Sequence, residues 1–168
     1  MKSILYPFLI FIALGTLFFQ CDDDTQTKMN GTLTEHSACK NFLIQNSSKF
    51  DVADTTTSIV FTYSESQNLL LLNHINAAFN CCPDDLYCEF YLSSDTIHVH
   101  EFEESASCDC NCLYDLNMQI NNVTPGIYKI RVHEPYVGDQ AILFFELNLT
   151  QDTSGTFTIT RTGYPWGM

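Results

Sequence analysis

Six of the eight cysteines crowd into two short stretches, Cys81-Cys82 with Cys88 and Cys108-Asp109-Cys110-Asn111-Cys112. This crowding restricts the fold more than any other feature. So many thiols in 168 residues do not suit a reduced cytosolic protein, and in an exported chain they read as a disulfide framework. If residues 108–112 are extended, their three sulfurs share one face at ~6.7 Å intervals. Bridged Cβ atoms lie about 3.8 Å apart, so each sulfur reaches for another segment rather than for its neighbour. Cys81, Cys82 and Cys88 are therefore expected to cross-link to Cys108, Cys110 and Cys112. Closing loops of about 20–30 residues stabilises by roughly 3–4 kcal/mol each in the chain-entropy model. Cys39, isolated ahead of the apolar segments, is expected to keep a free thiol.

The chain opens with an address. Lys2 supplies a positive charge, Ile4 to Phe19 is uncharged and apolar, and Asp22-Asp23-Asp24 follows Cys21. The apolar run is interrupted by Pro7 and falls short of the about 20 residues that a membrane-spanning helix needs. It fits a secretory signal instead. Phe18-Phe19-Gln20-Cys21 with the acidic run behind it resembles the signal of surface-exported bacterial lipoproteins of the Bacteroides group. The resemblance implies cleavage after residue 20, a covalent lipid on Cys21 and a place on the outer membrane facing outward. Residues 1–20 are then signal, 21–40 the lipidated cysteine and a solvated tether, and 41–168 the folded domain.

Beyond the tether, short alternating segments dominate. Ser58 to Tyr63, Leu69 to Ile75, Tyr87 to Leu92, Thr96 to Phe102, Leu113 to Ile120, Ile127 to Val132, Ile142 to Leu149 and Thr156 to Thr160 read as strands. Seven or eight strands with polar turns between them predict an all-β, antiparallel β-sandwich. Asn122-Val123-Thr124-Pro125-Gly126-Ile127-Tyr128 resembles the late-strand corner of immunoglobulin-like and fibronectin-III-like domains. That resemblance implies a Tyr128 hydroxyl bonded back to the corner backbone.

The functional signals are weaker. In Thr96 to Phe102, Ile97, Val99 and Glu101 face one side while His98, His100 and Phe102 face the other. The cysteine clusters, with His74 or His98 and His100 nearby, offer soft ligands suited to Zn²⁺ or Cu(I), and His98 and His100 on one strand face could chelate a metal themselves. Tyr164 and Trp166 in the tail are candidate contacts for a sugar or protein partner. Seven Lys+Arg against twenty Asp+Glu leave a net charge of −13, which excludes nucleic acid as the natural partner. No nucleophile elbow, zincin motif or phosphate loop is present in the sequence. The leading expectation is a non-catalytic binding or accessory module, without a resident cofactor, for a glycan, peptide or protein. A metal-binding lipoprotein is the second, and a small hydrolase using paired carboxylates the third.

Overall fold

The computed structural model describes residues 26–40 and 56–162. Cys21, the leader, Tyr164 and Trp166 lie outside the described residues. Ten strands follow in chain order: β1 (Thr27–Lys28), β2 (Gly31–His36), β3 (Thr56–Ser64), β4 (Leu69–Asn80), β5 (Asp85–Ser93), β6 (Thr96–Glu104), β7 (Asn111–Asn121), β8 (Ile127–His133), β9 (Phe144–Asn148) and β10 (Ser154–Thr160). They form two five-stranded sheets. Sheet I has the order β1-β5-β6-β8-β9, and sheet II the order β10-β3-β4-β7-β2. The fold is thus a β-sandwich, and the eight segments read from alternation each carry a strand.

Alternation places the core. Ile59, Phe61, Leu70, Leu72, Leu116 and Met118 of sheet II face Phe90, Ile97, Val99, Ile130 and Val132 of sheet I, all buried. Apolar faces of this kind supply the main driving force, at about 25 cal/mol per Å² removed from water. The corner bond forms: the Tyr128 hydroxyl donates to the Thr124 carbonyl at 3.1 Å. β5 and β6 close into a hairpin through Ser94-Asp95, with Ser93 opposite Thr96 and Ser94 in the left-handed region at φ 53°.

Two strands occupy what the sequence suggests is tether. β1 pairs with β5 at the edge of sheet I, and β2 pairs with β7 at the edge of sheet II. Their signal is faint because β1 has two residues and β2 carries a register shift between Leu33 and Glu35 that breaks its alternation. Met29 and Leu33 nevertheless pack against the core. The chain changes sheets at Gly31, where a Cβ would overlap the Phe90 ring.

This edge corrects the cysteine expectations. Ser37 and Lys40 donate backbone hydrogen bonds to Asp115 and Leu113, which brings Cys39 alongside β7, and Cys39 bonds to Cys112. Cys39 is therefore not the free thiol. Among the described residues the free thiol is Cys88, between Leu86 and Phe90 on the inward side of β5. Cys81 bonds to Cys110 and Cys82 to Cys108, which joins the Cys81–Cys88 loop to the start of β7. Burial raises the Cys88 thiol pKa strongly, with the Glu101 charge adding to it, so this sulfur stays protonated and inert.

One pairing in sheet I is parallel, between β6 and β8. After β6 the chain crosses to sheet II, runs along β7, and returns as β8 in the same direction as β6. Residues far apart in sequence thereby become lateral neighbours, with His98 opposite Arg131 and His100 opposite His133.

Candidate metal centre

β6 turns His98 and His100 to the outer face of sheet I, because Ile97, Val99 and Glu101 occupy the inward positions. β8 does the same with Arg131 and His133, because Ile130 and Val132 are inward. The result is a cluster of three imidazoles. One ring nitrogen from each of His98, His100 and His133 lies within 4.8 Å of the others. His98 Nδ1 and His133 Nε2 are 3.0 Å apart. Two nitrogens bound at 2.0–2.1 Å to one tetrahedral ion would be about 3.3 Å apart, so this pair already stands near ligand spacing. The His100 and His133 rings stack with centroids 4.0 Å apart. His100 Nε2 is buried without a hydrogen-bond partner.

The protonation states suit a cation. Burial lowers the His100 pKa, and the neighbouring His98 lowers it further. Burial, His100, His98 and Arg131 together push His133 down to about 4. Neutral imidazole is the form that ligates. On the neighbouring strand Glu89 stands opposite His100, with its carboxylate held by Lys28 at 2.8 Å and by the Tyr91 hydroxyl at 2.6 Å. Tyr91 meets His100 edge to face, and Tyr87 stacks on Phe102 at 5.0 Å. Imidazoles and aromatic rings thus make one continuous outer surface.

No family model matches the sequence, and no curated protein or solved structure matches it.

His74, the third donor expected from sequence, is not part of this cluster. It lies on β4 in sheet II and points between the sheets at 0% exposure. Its Nδ1 is 2.7 Å from Glu101 Oε1, and its Nε2 is 2.8 Å from Thr57 Oγ1 and 3.8 Å from Glu134 Oε1. Thr57 Oγ1 also donates to the Ile75 carbonyl, which can only accept. With its hydrogen directed to Ile75, the Thr57 oxygen accepts from His74 Nε2–H, and Nδ1–H donates to Glu101. In that arrangement both ring nitrogens donate, which is the imidazolium form. Burial alone would lower its pKa, but Glu101 and Glu134 outweigh burial and the net direction is upward. Arg161, beyond β10, binds Glu134 Oε2 at 2.5 Å and the Ala141 carbonyl. Burial nevertheless raises the Glu134 pKa. Two cations, His74 and Arg161, thus face two acids, Glu101 and Glu134, across the sandwich.

These are the converging carboxylates that a hydrolase would require, but they are 3% and 9% exposed and bound to their counter-ions between the sheets. The cysteines are placed differently again. The sulfurs of Cys39, Cys81 and Cys112 lie within 4.8 Å of one another, yet all three are spent in disulfides and offer no thiolate. Sequence reasoning missed His133 as a ligand, because its proximity to His100 depends wholly on the parallel β6–β8 pairing.

Proposed function

We infer that the protein is an exported binding module, lipid-anchored at Cys21 and non-catalytic, whose sandwich presents a divalent transition metal site made by His98, His100 and His133. The observation that carries this reading is the convergence of three imidazole nitrogens within 4.8 Å on one sheet face. An all-imidazole set favours Zn²⁺, Cu²⁺ or Ni²⁺ over Mg²⁺ or Ca²⁺, which prefer oxygen. Two of the nitrogens are already close, and the third can approach by ring rotation, since the terminal torsion of histidine is broad.

The reading is tested by calorimetric titration of the mature chain with Zn²⁺, Ni²⁺ and Cu²⁺ in a non-coordinating buffer. One ion per chain is expected. Binding should be lost in His100→Ala and His133→Ala and kept in His36→Ala, which changes an exposed histidine on β2. No stoichiometric binding to the unaltered chain, or equal binding by His133→Ala, overturns it. The anchor is tested separately by the mass of the amino-terminal peptide of native protein, where an acylated Cys21 is expected and an intact leader contradicts it.

A second reading has its own observation. Tyr87 and Phe144 expose about 44% of their surface on the same sheet face as the imidazoles. Exposed rings of this kind stack on sugars or seat a peptide, and glycan or pull-down screening of the metal-free chain would reveal it.

A further inference from the structure

Next to the imidazoles the outer face of sheet I dips into a hollow of about 260 Å³ lined by Ser93, Ser94, Thr96, His98, Arg131 and Phe144. His98 belongs both to this hollow and to the three-histidine cluster, and Arg131 stands directly opposite it on the adjacent strand. Arg131 is electrostatically unusual. Lys28 pairs with Glu89, Lys40 with Asp115, Lys129 with Asp95 and Arg161 with Glu134. Among the described residues, Arg131 alone of the lysines and arginines has no carboxylate within ion-pair distance. Its guanidinium instead lies 5.8 Å from the Phe144 ring centroid, which forms the wall of the hollow.

In a chain with twenty acids, none among the described residues is matched to this guanidinium. Guanidinium groups pair with carboxylates through two parallel hydrogen bonds. Carboxylate oxygen is also a good ligand for the same divalent ions that imidazole holds. Three neutral imidazoles leave the charge of a bound ion uncompensated, and the neighbouring arginine adds to it. An anion between the two relieves both.

We propose that the hollow takes a small carboxylate anion, held by Arg131 and serving as the outside ligand of the metal at His98, His100 and His133. The inference rests on the metal-site reading and names the chemistry of what that site binds: a metal carboxylate complex rather than the bare ion. Ser94 and Thr96 also line the hollow, which suits a ligand bearing further oxygens, such as a hydroxycarboxylate. The volume of about 260 Å³ is enough for a small carboxylate.

The test uses the mature chain saturated with Co²⁺, whose visible bands respond to each change of ligand. Acetate and inorganic phosphate are titrated in separate arms. In the unaltered chain, acetate should shift the cobalt bands saturably and at lower concentration than phosphate. Arg131→Gln should require about tenfold more acetate, the loss expected for one charge-assisted interaction, with Arg131→Lys intermediate. Because every protein is compared at saturating cobalt, changes in metal affinity drop out. If no cobalt binds, the metal reading fails and this inference with it. If cobalt binds but acetate leaves the bands unmoved, or Arg131→Gln responds like the unaltered chain, the inference alone is overturned. A phosphate response tighter than that of acetate also overturns it.

Discussion

The molecule holds two histidine sites on either side of sheet I, an outer one on that sheet and an inner one where His74 of sheet II packs against it, and they behave in opposite ways. On the outer face, His100 and His133 are half-buried among other imidazoles, and their pKa values fall. On the inner face, one residue along β6 from His100, Glu101 meets His74, which is wholly buried and yet has a raised pKa. Burial by itself predicts the reverse order, with the more deeply buried ring the less charged. Company decides instead. An imidazole packed against imidazoles loses its proton and offers a lone pair; an imidazole packed between carboxylates keeps its proton and acts as a fixed cation. The outer site is therefore chemically available, and the inner one is a charged pin between the sheets.

The largest expected effect tests the pin. Arg161→Met leaves Glu134 buried against His74 without the guanidinium bonded to it. Removing one member of a buried pair costs about 3–5 kcal/mol, so the urea midpoint should fall steeply. His133→Ala on the outer face should change stability far less. Equal losses for the two variants would erase the distinction between a structural and a functional cluster.

For the outer site the corresponding quantity is affinity. Changes even to groups that merely orient ligands cost 10–100-fold in metal binding, so loss of a direct ligand in His133→Ala should cost on the order of 100-fold or more. Competition against a coloured chelator measures it. A loss of only a few-fold would mean that His133 is a neighbour of the site and not a ligand.

The pH response separates the two sites by sign. His74 has a raised pKa, so its contribution to stability is complete below the ordinary value of 6.5 and is lost as pH rises through its folded pKa. His133 is depressed to about 4, so its contribution is complete above 6.5 and is lost as pH falls from there towards 4. Each limb can reach at most about 1.4 kcal/mol per pH unit for one proton. Imidazole resonances followed by NMR should show His74 mainly cationic and His133 mainly neutral at pH 6.5. Titration of both together near that value would break the comparison.

Much of the fold was legible from alternation, and the outer placement of His98 and His100 followed from it. So did the clues to the inner site: Leu70, Leu72 and His74 share a face of β4, and Ile97, Val99 and Glu101 share one of β6. An inward histidine and an inward glutamate in facing sheets already suggest a buried ion pair. What the local pattern could not carry was lateral placement. His133 joins His100 only because the chain leaves sheet I after β6 and returns as β8, and Cys39 reaches Cys112 only because a bulged, polar β2 lines the edge of β7. Neither fact leaves a mark within a window of ten residues.

The smallest expected effect is the most diagnostic of the charge on His74. Thr57→Val keeps the shape of the side chain but removes the oxygen that accepts from Nε2–H. If His74 were neutral, with Nε2 as an acceptor from the hydroxyl, the ring could turn its bare nitrogen towards the valine at little electrostatic cost. With an imidazolium, a buried N–H loses its acceptor, at a cost of about 1–3 kcal/mol. Glu134 Oε1, 3.8 Å away and without a hydrogen bond of its own, can move in and recover part of this. A net loss of about 1 kcal/mol is therefore expected, together with a His74 pKa at least as high as before, because a carboxylate has replaced a hydroxyl beside it. A fall in that pKa would show that the threonine, and not the pair of acids, keeps the ring charged.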